Sequence, residues 1–101
     1  MIAIERMTQK VRPGKWAELA EIDKRFDDVE KSVGFPSKKR YQCLIGSLDQ
    51  NMLIIEREWE SLAAMEAAYE KVMGNPKWQA LGQDVLAVVE SSQIEVFTPL
   101  P

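Results

Sequence analysis

Apolar and polar positions change period several times along this chain. Between Ile2 and Val11 the apolar residues alternate loosely, at Ile2 and Ile4 and then at Met7 and Val11. That spacing predicts a strand, and its slip in register predicts a bulge. Arg12–Lys15, read RPGK, is a turn signal. Trp16, Leu19, Ile22, Phe26, Val29 and Val33 then recur three and four apart, with Glu18, Glu21, Lys24, Asp28 and Lys31 on the other side. This is the stripe of an amphipathic helix. Gly34 is its expected C-cap, and GFP at Gly34–Pro36 ends it.

Two strand-like runs follow, RYQCLIGSL and NMLIIEREW, with a hairpin turn expected near Ser47–Asn51. Ser61 is a good N-cap for a helix beginning at Leu62, whose inner stripe would be Leu62, Met65, Tyr69, Val72 and Met73. GNP at Gly74–Pro76 interrupts that helix. Asn75 suits the cap, and Pro76 the first position, of a second piece carrying Trp78, Leu81, Val85, Leu86 and Val89. The last strand is expected over Ser91–Pro99.

The order is therefore β-α-β-β-α-β over one domain, residues 1–101. It predicts an α+β, ferredoxin-like fold: a four-stranded antiparallel sheet with its helices on one face. The third strand is apolar on both sides, with Leu53 and Ile55 on one and Met52 and Ile54 on the other. A sheet covered on one face only leaves the second set wet. The simplest remedy is a homodimer through the sheet faces, which is also a way for so short a chain to cover its surface.

Three stretches carry a family resemblance: VRPGKWAELAEI, IEREWESLAAMEAAYE and NPKWQAL. Together they resemble the dimeric α/β-barrel proteins, in particular the NIPSNAP-like and antibiotic-biosynthesis-monooxygenase-like groups. The resemblance implies a barrel made from the two sheets of a homodimer, with a cleft between sheet and helices in each subunit. It also implies a range of activities. Some members oxygenate aromatic substrates without metal or flavin, some bind haem, and many have no known activity. Many of the monooxygenase-like members place a histidine near the middle of the second helix. This chain has no histidine, and Ala68 and Tyr69 stand in that neighbourhood. Histidine-dependent catalysis and histidine-ligated haem do not carry over.

Composition narrows the reading further. Hydrophobic residues are 46% of the 101, enough for an ordinary core. The net charge of −3, with SKKR at Ser37–Arg40 as the only basic cluster, gives nucleic acid no basic face to grip. That cluster reads as a solvated loop. No apolar run approaches the roughly 20 residues that cross a bilayer, and no signal peptide is visible. The single Cys43 has no internal disulfide partner, and within YQCLIG it reads as a small buried hydrophobe. A cytoplasmic protein without cofactor is expected. Zinc has no ligand set, and neither a P-loop nor a dinucleotide fingerprint is present.

The candidate ligand-binding residues are Trp59, Tyr69, Trp78, Arg57, Tyr41 and Met65. Trp59 shares a strand face with Arg57, so its indole could wall a pocket while Arg57 counters negative charge. The competing reading packs the indole over the start of the next helix. Trp78 follows the GNP break, where it could gate a cleft or dock the second helical piece. Tyr69 needs a hydrogen-bond partner if buried, or could donate a proton to a bound carbonyl or phenolate. Met65 shares its helix stripe with Tyr69, and Tyr41 lies near the mouth of the second strand. Arg6 and Arg40 could add positive charge but fit cross-strand or surface ion pairs as well. Glu56 and Glu58 share one strand face, opposite Arg57.

Three readings follow. One is a homodimer holding a small, partly aromatic ligand between sheet and helices. Another is a cofactor-independent monooxygenase acting on a phenolic or quinol substrate, with Tyr69, Trp59 and Arg57 as candidate catalytic residues. The last is an assembly unit with no ligand. An open cleft beside Trp59, Tyr69 and Trp78 would favour the first two; a closed one would favour the third.

Overall fold

The computed structural model describes all 101 residues. In chain order the elements are β1 (Ala3–Val11), α1 (Trp16–Ser32), β2 (Lys39–Gln42), β3 (Met52–Trp59), α2 (Leu62–Met73), α3 (Pro76–Val85) and β4 (Val89–Phe97). The strands form one sheet in the order β2-β3-β1-β4, and every neighbouring pair is antiparallel. The fold is α+β and ferredoxin-like. Its extents of 38 × 37 × 17 Å are those of two layers, one sheet and one shelf of helices.

Side-chain alternation decides what each sheet face carries. On β3, Leu53, Ile55, Arg57 and Trp59 are buried on the helix side, while Met52, Ile54, Glu56 and Glu58 take the open side. β1 pairs in register, Ala3 with Trp59, Glu5 with Arg57, Met7 with Ile55 and Gln9 with Leu53. The helix side of β1 is therefore Ala3, Glu5, Met7, Gln9 and Val11. Two of those five are polar, and this explains the slip in the hydrophobic pattern: Ile4 points to the open face, and Ile2 precedes the strand and is exposed. A register irregularity does occur against β4, at Lys10/Val11.

Helix ends follow from local chemistry. The Ser61 hydroxyl accepts from the Ala64 N–H at 3.0 Å and starts α2. The Asn75 carboxamide accepts from the N–H groups of Lys77 and Trp78, and Pro76 opens α3. After α1, Gly34 takes φ +85°, and the N–H groups of Gly34 and Phe35 return to the carbonyls of Lys31 and Glu30 at 3.2 and 3.0 Å. This paired closure turns the chain so that Phe35 enters the core at the end of α1.

Several expectations are corrected. The second strand is short: only Lys39–Gln42 are strand, and Leu44 and Ile45 stand exposed in a loop. Gly46, at φ +146°, and an Asp49 side chain accepting from the Asn51 N–H at 2.8 Å shape that loop. Cys43 is half-buried in the loop, with its thiol donating to the Leu48 carbonyl at 3.2 Å. On α2 the buried residues are Ala68 and Val72; Leu62 and Met73, at the two helix ends, are exposed. Leu86 lies beyond α3 and is exposed, and Val89 already belongs to β4. Trp16 is half-buried against the core. Lys38 of the SKKR run is not solvated, because its side chain, 6% exposed, reaches carboxylates on α1.

Candidate functional site

Beneath the helices the sheet carries charge where apolar residues are usual. Glu5 and Arg57 face each other across β1 and β3, 3% and 6% exposed. An Arg57 guanidinium nitrogen lies 3.6 Å from Glu5 Oε1, and another donates to Glu30 Oε1 at 2.5 Å. Glu30 is itself buried on α1. Lys38 Nζ completes the group, 3.5 Å from Glu30 and 3.1 Å from Asp27. Two buried carboxylates, Glu5 and Glu30, and the half-exposed Asp27 thus surround a guanidinium and an ammonium. Each charge would be costly alone, and their mutual pairing offsets the desolvation. Apolar packing would generally stabilise a core as well or better, so such a cluster marks a candidate site.

Aromatic side chains enclose it. The Trp59 indole N–H donates to Glu5 Oε1 at 3.1 Å, and the Tyr69 hydroxyl donates to Glu5 Oε2. Phe35 lies edge-to-face with Trp59 at 5.1 Å between centroids and with Tyr69 at 5.0 Å. The Arg57 guanidinium lies 5.1 Å from the Phe35 ring centre, within range of a cation–π attraction. Trp78 stands edge-on to Tyr69 at 6.5 Å and to Phe26 at 6.3 Å. Two buried donors have no acceptor, Arg57 Nε and Trp78 Nε1.

Burial pushes the Tyr69 phenol pKa up, and its hydrogen bond to Glu5 and the Glu5 charge push it further. Tyr69 therefore stays a protonated donor rather than a phenolate. Asp23, also on the buried side of α1, is raised by desolvation, against the opposing charges of Lys38 and Arg40. Arg40 approaches it at 2.8 Å. No grouping of three His, Cys, Asp or Glu side chains suits a metal ion.

Two clefts flank the segment between α1 and β2. One, of about 490 Å³, runs between the end of β3 and α2; Trp59, Gly34, Pro36, Ala64, Ala67 and Ala68 are among its lining residues. The other, of about 330 Å³, is lined by Pro36, Ser37, Lys39 and Arg57 among others. Two further clefts, of about 820 and 540 Å³, lie between α1 and the α3 side of the molecule.

Of the residues expected at a site, Trp59, Tyr69 and Arg57 meet around Glu5, and Trp78 and Met65 pack against the same core. Tyr41 does not join them: it pairs with Ile54 and stands exposed on the open face of the sheet. Arg6 and Arg40 make ion pairs with Glu56 and Asp23 at 2.9 and 2.8 Å. Sequence reasoning missed Glu5, Glu30, Lys38 and Phe35. Two signals were available. Glu5 has the strand parity of Ala3 and Met7, and Glu30 falls four residues after Phe26, on the apolar stripe of its helix.

No protein-family model matches the chain, and no curated protein matches it in sequence. Its structure, however, is similar to several solved ones. A NIPSNAP family protein from Agrobacterium tumefaciens superposes with a TM-score of 0.82 at 20% identity, covering 99% of this chain and 94% of that one. An uncharacterised NIPSNAP-like domain protein from Burkholderia xenovorans gives 0.82 at 18% identity, over 98% and 85% of the two chains. A second A. tumefaciens NIPSNAP family protein, described as of unknown function, gives 0.79 at 16%, over 97% and 87%. At these identities the likeness speaks for architecture, and the conclusion is that this chain has the α+β fold of the NIPSNAP family proteins.

Proposed function

We propose that the chain is a single dimeric α/β-barrel domain, acting in the cytoplasm, that binds a small, partly aromatic ligand between sheet and helices. The observation that carries this reading is the cleft of about 490 Å³ with Trp59 in its wall and Ala64, Ala67 and Ala68 along α2. Its volume is within the range of small-molecule sites. Three alanines in one helical turn leave room that larger side chains would fill. Behind the indole lies the Glu5–Arg57–Glu30 cluster, whose polarity a purely structural core has no need of.

The homodimer rests on the open sheet face. Ile4, Ile54, Tyr41 and Phe97 lie there, around a charged row of Lys39, Glu56, Arg6 and Glu95. A two-fold copy would cover the apolar groups and could pair the charges across the axis.

The binding reading is tested by thermal shift against neutral phenols and aromatic acids, with the parent chain and Ala67→Trp, an exposed position in the cleft wall. A saturable rise in Tm with the parent, lost when the new indole fills the cleft, is the expected result. No rise with any compound at millimolar concentration would refute it.

Cofactor-independent oxygenation of a phenolic or quinol substrate is the second reading. The Tyr69–Glu5 pair favours it, because a carboxylate joined to a phenol can pass a proton to and from a neighbouring hydroxyl. Oxygen uptake with quinols, lowered in Tyr69→Phe, is its test.

A further inference from the structure

Residues Gly34–Lys38 join α1 to β2 and belong to no helix or strand. Both ends of the segment are tied to Glu30: the Phe35 N–H bonds its carbonyl at 3.0 Å, and Lys38 Nζ approaches its carboxylate at 3.5 Å. The two clefts lie on either side of the segment and share Pro36 and Glu58. Between its ties the segment sends one ring inward. Phe35 is 7% exposed, set between Trp59 and Tyr69 and beside the Arg57 guanidinium.

We propose that the slot between Trp59 and Tyr69 beside Arg57 is a binding site for the ring of a neutral phenol, and that Phe35 fills it when no ligand is bound. This deepens the proposed function and rests on it. An aromatic slot of the right size exists, because a phenyl ring already occupies it with edge-to-face geometry on two sides. The hydroxyl is called for by Arg57 Nε, a donor in a side chain 6% exposed, which no acceptor satisfies. Leaving such a group unpaired is costly, and a phenolic oxygen would satisfy it. Neutrality follows from the charge count. Glu5, Glu30 and Asp27 already meet the charges of Arg57 and Lys38, so an aromatic carboxylate would bring a buried charge with no counter-ion. The clefts supply a route, since displacing the Gly34–Lys38 segment toward solvent would connect them to the slot.

Calorimetric titration of the parent, Phe35→Ala and Phe35→Leu with phenol, toluene and benzoate tests the slot. Phenol should bind Phe35→Ala at least about tenfold more tightly than the parent, and more tightly than toluene binds the same variant. Benzoate should gain nothing. A dry apolar cavity made by the same truncation would prefer toluene. Toluene binding as tightly as phenol, or no gain over the parent, overturns the proposal. Should neither variant fold, hydrogen exchange in the parent decides: phenol should speed exchange of the Phe35 amide, and an unchanged rate overturns the slot. Failure here with Ala67-sensitive ligand binding intact would remove the slot alone. A parent chain that binds no aromatic compound would remove the binding function as well.

Discussion

Tyr69 and Glu5, 64 residues apart in sequence, are joined by a hydrogen bond in which the phenol donates to the carboxylate. That bond ties α2 to β1 across the core, and the same carboxylate accepts from Trp59. Glu5→Gln removes the charge facing Arg57, leaving a buried guanidinium with Glu30 as its one close partner. The expected loss is about 3 kcal/mol of unfolding free energy. Tyr69→Phe should cost about 1–2 kcal/mol. The double variant should fall short of the sum by at least about 0.5 kcal/mol, because both changes remove one bond. Urea unfolding at fixed protein concentration measures all three.

Alkaline pH should weaken the fold through Tyr69. Its folded pKa lies above the ordinary 10.0. Below about pH 10 the phenol is protonated in both states and adds no slope. Above it the unfolded chain releases the proton while the folded chain holds it, so stability falls as pH rises. Tyr69→Phe should show a shallower alkaline decline than the parent in chemical denaturation between about pH 9 and 11.

Asp23 follows the same sign in the acid range. Its folded pKa is raised above 3.8, chiefly by burial. Its contribution therefore favours folding below about pH 3.8 and is lost as pH climbs through the folded value. Asp23→Asn should accordingly gain on the parent between about pH 3 and neutrality, as read from the difference in their urea midpoints. A parent that gains on the variant over that range would reverse the assignment.

Gly34 should resist substitution for backbone reasons alone. A Cβ there would meet nothing within 4 Å, yet φ is +85°. Gly34→Ala should cost about 1 kcal/mol. Asn75→Ala should cost a similar amount by uncapping α3. Thermal melts of the two variants provide the check.

Much of the architecture was legible because its signals are local. Ser61, Asn75 and Pro76 announce helix ends by their own side chains, and Gly34 by its freedom at positive φ. The α1 stripe and the β3 alternation gave the faces. The site was legible only in part. Trp59 and Arg57 share strand parity, so sequence could pair them. Glu5, Glu30 and Lys38 are brought together by pairing between distant segments, and a charged residue alone reads as surface. Phe35 was hidden within a helix-stop motif, where GFP signalled an end rather than an insertion. The second strand failed for a similar reason. CLIGSL is apolar enough for a strand, but Gly46 and the Asp49 turn end the pairing early.

The central claim is that a small aromatic ligand lodges against Trp59. Trp16→Phe with Trp78→Phe leaves Trp59 as the only indole, and its fluorescence can be followed while phenol is added. The account predicts a saturable change in intensity or emission maximum, abolished by Ala67→Trp as judged by calorimetry on the same background. A spectrum that stays constant, or drifts linearly without saturation up to millimolar phenol, would contradict it.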